Sequence, residues 1–159
     1  MNSYEYLQEE AREDGVHVID YHFDSNRIRG LYCNGTVAIR QNMTTAEKSC
    51  VLAEELGHHR MTVGNILGQD DVANRKQEHL ARLWAYDRQI GLSGIIQRYR
   101  NHCHNRHELE ECLDVSEEFQ NEALECYREK YGCYTELDGY VIMICSIVTL
   151  VFTLSKHKK

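Results

Sequence analysis

Two carboxylates and a histidine raise the question of chemistry first. In the stretch Ala53-Glu54-Glu55-Leu56-Gly57-His58-His59, Glu54 stands four residues before His58 and Glu55 lies between them. On a helix, positions i and i+4 share a face, so side chains at 54 and 58 can reach one metal ion while residue 55 projects beside it. The zinc-peptidase signature H-E-x-x-H has two histidine ligands in the outer places and, after the first, the glutamate that takes a proton from the attacking water. Here His58 fills the second ligand place, Glu55 the base place, and Glu54 stands where the first histidine belongs. The neighbouring register, Glu55 with His59, puts Leu56 in the base place, where no proton can be moved. For so short a motif the plain alternative is a surface pair of glutamate and histidine one helical turn apart.

Such a site needs helices held against a core. The chain has 159 residues, enough for one domain with a sizeable apolar interior. Its formal charge is -7, from 18 Lys+Arg against 25 Asp+Glu, so its field opposes direct binding of nucleic acid; the basic residues cluster only at Lys156, Lys158 and Lys159. Seven cysteines form an odd set, and the opening MNSYEYLQEEARED is polar and acidic, without the basic-then-apolar pattern of a signal peptide. Both features point to a reducing cytoplasm and free thiols. With no proline in the chain, turns fall to Gly, Asn and Asp.

The elements that position the motif are legible in outline. Residues 3–14 read as a short helix ended by Gly15. Residues 16–40 read as a strand plus a hairpin, because Asn34-Gly35 separates two runs rich in Leu, Tyr, Val and Ile. From 44 to 62 the pattern turns helical: Thr44-x-x-Glu47 is a capping box, and Cys50, Val51, Ala53, Leu56 and Gly57 line one side. Residues 74–91 form a second helix, with Leu80, Leu83, Trp84 and Ile90 expected in the core and Glu78, Ala81, Arg82 and Ala85 on a neighbouring face. Residues 108–131 read as a helical hairpin turning at Asp114–Ser116, with Ser116 as N-cap and Gly132 as terminator.

Taken together, the hairpin GLYCNGTVAI, the helix TTAEKSCVLAEELGHH and the downstream QEHLARLWA resemble the ImmA/IrrE-type metallo-endopeptidases of mobile elements, prophages and stress regulators. The likeness covers roughly residues 16 to 135. It implies an α+β, zincin-like fold: a core of helices with a small antiparallel sheet or hairpin, followed by a C-terminal helical segment. It implies a single metallopeptidase-like domain over 1–138, with 139–159 as an apolar tail ending in basic residues. The third metal ligand in the family is the Glu of the E-x-x-A-x-x-aromatic-A helix, here Glu78. The resemblance therefore implies Glu54, His58 and Glu78 around one divalent metal, Zn2+ before Mn2+, with Glu55 as catalytic base. Two anionic ligands cancel the formal charge of the ion and weaken its pull on water, while making hard metals more competitive. The implied partner is a helix-turn-helix repressor, cut to derepress a mobile element or stress response; the alternative is an inactive scaffold that sequesters that repressor. Oligomeric state stays open.

Three further signals have plainer readings. His102-Cys103-His104-Asn105-Arg106-His107 through Cys112 gathers metal-binding residue types, but its spacing matches no standard zinc module, and a polar loop entering a helix suffices. The hairpin at 108–131 echoes a DNA-binding helix-turn-helix, yet Glu117, Glu118, Glu122, Glu125 and Glu129 give its second helix the wrong sign for phosphates. Residues 140–154 are apolar enough to suggest a membrane anchor, a core helix or a strand; as a helix they would span only about 22 Å, short of a bilayer core of about 30 Å.

Overall fold

The computed structural model describes residues 1–62, 71–103, 106–144 and 149–153. The chain divides into two compact units, Met1–Gln89 and Ile90–Lys159. Helices dominate, with a three-stranded sheet in each unit, so the fold is α+β.

In the first unit, α1 (Ser3–Glu13) starts with a capping box in which the Glu5 backbone N–H donates to Asn2 Oδ1 and the Asn2 N–H donates to Glu5 Oε2, both at 2.9 Å. It stops at Gly15, whose φ of +73° lets Val16 N–H return to the Ala11 carbonyl at 2.8 Å. The chain then forms β1 (His17–Tyr21), β2 (Gly30–Cys33) and β3 (Thr36–Arg40), in the order β1-β3-β2. The Asn34-Gly35 turn has φ of 46° and 77° at its two residues, the conformation a tight hairpin requires. The sheet is mixed, however. Successive strands alternate in direction, so when β1 pairs with β3 instead of β2 the two run parallel, from His17↔Thr36 to Tyr21↔Arg40. Val37 and Ile39 on the inner face of β3 are fully buried.

Helix α2 (Thr45–Thr62) is opened by the Thr44–Glu47 box, Glu47 N–H to Thr44 Oγ1 at 3.2 Å and Thr44 N–H to Glu47 Oε2 at 2.8 Å. Leu52, Ala53 and Leu56 on its inner side have no exposed surface. Against it lies α3 (Asp71–Gln89), and here the contact differs from the expectation of a leucine-lined seam. Ala81 and Ala85 are fully buried, whereas Leu80 is 50% exposed. The reason is the closeness of the two backbones: a Cβ on Gly57 would stand 2.4 Å from the Ala81 carbonyl oxygen. At that separation only small residues fit between the helices, and the larger ones are displaced to the flanks.

Polar groups then fasten the three helices. The fully buried Ser49 donates to Ser3 Oγ at 3.0 Å, and the Gln89 amide donates to the Ser49 carbonyl at 3.0 Å while accepting from Ser3 Oγ at 2.6 Å. Arg60 binds Asp14 Oδ2 at 2.7 Å and Glu10 Oε1 at 2.8 Å, and its guanidinium lies 4.7 Å from the centre of the Trp84 ring.

The second unit contains α4 (Leu92–Arg100), α5 (Arg106–Leu113) and α6 (Glu117–Tyr131), then β4 (Tyr134–Leu137), β5 (Tyr140–Ile144) and β6 (Thr149–Thr153). Ser116 caps α6 by accepting from Phe119 N–H at 3.2 Å, and Gly132, at φ +82°, ends it. The three strands form an antiparallel meander, β4-β5-β6, whose first turn is Asp138-Gly139 with φ of 51° and 80°. Of the three readings open for residues 140–154, the described part takes the strand. Ile142 and Ile144 join Phe119, Ala123 and Tyr127 among the buried residues of this unit. No helix among the described residues is long and apolar enough to cross a membrane.

Candidate metal centre

The tight α2–α3 seam places the expected site residues along its rim. Glu54, Glu55 and His58 come from consecutive turns of α2, each partly exposed, and Glu78 comes from the facing stretch of α3. The first link across the seam is His58 Nε2 to Glu78 Oε2 at 3.4 Å. That is long for a hydrogen bond between imidazole and carboxylate. It is close to the separation, about 3.3 Å, of two donors sharing a tetrahedral ion at bonds of about 2.0–2.1 Å.

Glu54 stands differently. Among the described residues no three His, Cys, Asp or Glu side chains form a cluster able to hold an ion, so the pair His58 and Glu78 is together and Glu54 is not the third member of a closed set. Its charge acts on Arg82. Burial works against the Arg82 guanidinium, but the hydrogen bond to Glu78 Oε1 at 2.9 Å and the charges of Glu78, Tyr86 and Glu54 outweigh it, and its pKa is raised. The donor chemistry of imidazole and carboxylate suits a divalent ion of the zinc or manganese type, and the His58–Glu78 geometry fits one.

Glu55 is held from the other side by the sheet. Its carboxylate accepts from the Tyr32 backbone N–H on β2. Burial pushes its carboxyl above the ordinary value; the charge of His58 and the Tyr32 N–H oppose that rise and Glu78 adds to it. This close approach depends on Gly30: a Cβ there would lie 2.4 Å from Val51 Cγ1 and 3.1 Å from Glu55 Oε1. His59 is engaged elsewhere, with Nδ1 2.8 Å from the Tyr32 hydroxyl, and Leu56 is fully buried. Leu56, the base place of the neighbouring register, is thus closed to solvent.

Tyr32 and Arg82 are the neighbours that sequence reasoning left out of the site. Arg82 carries a usable signal, since it follows Glu78 by four residues on one helix. Tyr32 carries none, because its part in the site depends on where the hairpin docks. The His-rich cluster is only partly described: residues 104 and 105 lie outside the described residues.

A glutamate-histidine helix packed beside a small sheet, with a second helix bringing a carboxylate to the histidine, is a metallopeptidase-type arrangement. The family model of peptidase M78, the IrrE N-terminal-like domain, matches residues 11–125, and the chain belongs to that family. The family is one of metallopeptidases, which implies a metal cofactor and protein substrates. No curated protein and no solved structure matches the chain.

Proposed function

We propose that the chain is a metal-dependent endopeptidase whose substrate is a helix-turn-helix repressor, cut to derepress a mobile element or a stress response. The observation that carries this reading is the 3.4 Å approach of His58 Nε2 and Glu78 Oε2 across the α2–α3 seam, joined to membership of a metallopeptidase family. His58 and Glu78 would hold the ion, zinc in the first place and manganese as its competitor, and Glu54 would have to move toward the ion to join them as third ligand. When bound, the ion supplies Lewis-acid polarisation of the scissile carbonyl. Glu55 takes the proton of the attacking water and delivers it to the leaving amine. β2 is an edge strand, so an extended substrate segment can add to it by main-chain pairing. The Tyr32 N–H that holds Glu55 belongs to that same strand, which keeps the base in step with the substrate path.

A second reading, a scaffold that binds and sequesters its repressor without cutting it, is favoured by one observation. The charge of Glu54 acts on Arg82, which draws this carboxylate toward a cation of the chain itself. Incubation with a helix-turn-helix repressor, where one is encoded next to the gene, separates the two. Discrete fragments that disappear with a chelator and with Glu55→Gln mean peptidase; co-elution of the intact partners without fragments means binder.

A further inference from the structure

The second unit holds a pair of thiols that the metal site does not use. The chain leaves α4 through a tight closure: His102 takes the left-handed conformation at φ +65°, and the N–H groups of His102 and Cys103 return to the carbonyls of Tyr99 and Arg98, each at 3.1 Å. This is the hydrogen-bond pattern of a Schellman cap, and it fixes Cys103 at the end of the helix. Helix α5 then brings Cys112 back, and the two Sγ atoms lie 2.7 Å apart. That is short for a thiol pair and within reach of the disulfide bond length of about 2.05 Å. The two differ in access: Cys103 is 9% exposed, whereas Cys112 lies open to solvent.

We propose that Cys103 and Cys112 are a redox modification site, oxidised by hydrogen peroxide to a reversible disulfide that ties the end of α4 to α5. The exposed Cys112, as thiolate, attacks one peroxide oxygen; the O–O bond breaks, the departing hydroxide takes up a proton to leave as water, and Cys112 becomes a sulfenic acid. Cys103 then attacks that sulfur, its proton leaving with the sulfenic hydroxyl as a second water, and the S–S bond forms. Two thiols are oxidised and one peroxide is reduced to two waters, so the step balances. The Cys112 hydrogen bond, burial and the charge of Cys112 raise the pKa of the Cys103 thiol, which with its burial leaves the exposed Cys112 to meet peroxide first. A small dithiol reverses the bond by exchange. The pairing lies wholly within Ile90–Lys159 and is independent of the metal-site reading.

Peptide mapping of the full chain tests it. After brief treatment with hydrogen peroxide, alkylation and digestion with trypsin, the fragments 101–106 and 107–128 are expected as one species two hydrogens lighter than their sum. Fragmentation should place the bond at Cys112 and not at Cys126, and dithiothreitol should release both pieces. Cys112→Ser changes an exposed side chain, should leave the circular dichroism spectrum unchanged, and should abolish the linked species. Both cysteines alkylated, Cys112 carried on to sulfinic acid with Cys103 alkylated, or a bond from Cys103 to Cys126 would each overturn the proposal.

Discussion

The α2–α3 pair has an inner seam and an outer rim that obey opposite rules. The seam, built from Ala53, Gly57, Ala81 and Ala85, contains no chemistry and almost no side chain. The rim, built from Glu54, Glu55, His58, Glu78 and Arg82, carries titratable side chains and little buried apolar surface. The absence of side chain in the seam is what brings the two helices close enough to share a rim. On that rim a histidine of one helix meets a carboxylate of the other at 3.4 Å.

Filling the seam should therefore produce the largest effect. Gly57→Val is expected to cost about 3 kcal/mol by denaturant unfolding, because the added Cβ meets the Ala81 carbonyl oxygen and backbone cannot swing aside. Gly57→Ala sharpens the point through its sign. Helix propensity alone would stabilise by about 1 kcal/mol, and the contact should turn that gain into a loss.

Next in size is Arg60→Ala, which removes ion pairs to Glu10 and Asp14 and the contact with Trp84. About one-third of its side chain is exposed, so solvent screens the pairs, and the expected cost is about 1–2 kcal/mol, shrinking in high salt.

Thr44→Ala removes the cap that starts α2, for a loss of about 1 kcal/mol at neutral pH. The Glu47 carboxyl is held below its ordinary value of 4.5 by the Thr44 N–H first and the Thr44 hydroxyl second. Its stabilisation is therefore complete above pH 4.5 and is lost as pH falls through the lowered folded value. The gap between wild type and Thr44→Ala should narrow in acid, read from thermal melts across that range.

On the rim, Glu55→Gln should change stability least, within about 0.5 kcal/mol, since the amide oxygen still accepts from Tyr32 N–H. A large loss of stability there would show that rim and seam are not separable.

Much of this organisation is legible in the chain, where the signal is local. Asn34-Gly35, the Thr44–Glu47 box, Gly15, Ser116 and Gly132 each declare a turn or an end through their own backbone needs, and each does so in the structure. Glu54 and His58 are related by helical spacing alone. What local spacing could not supply is the choice of partner. The parallel pairing of β1 with β3, the exposure of Leu80 in favour of Ala81, and the docking of Tyr32 on Glu55 and His59 all depend on which elements meet. Hydrophobicity ranked Leu80 as core and Ala81 as its neighbour, and the close backbones reversed that order.

The proposed function stands on one divalent ion held on the rim by His58 and Glu78, with Glu54 as the proposed third ligand. Metal content of the purified full chain, measured by mass spectrometry of the elements beside His58→Ala and Glu78→Gln, tests it most directly. About one equivalent of zinc or manganese is expected in the wild type and is lost from both variants, whose circular dichroism stays close to wild type and whose melting falls to that of the chelator-treated wild type. A wild type without bound metal, or one whose metal survives both substitutions, would contradict it.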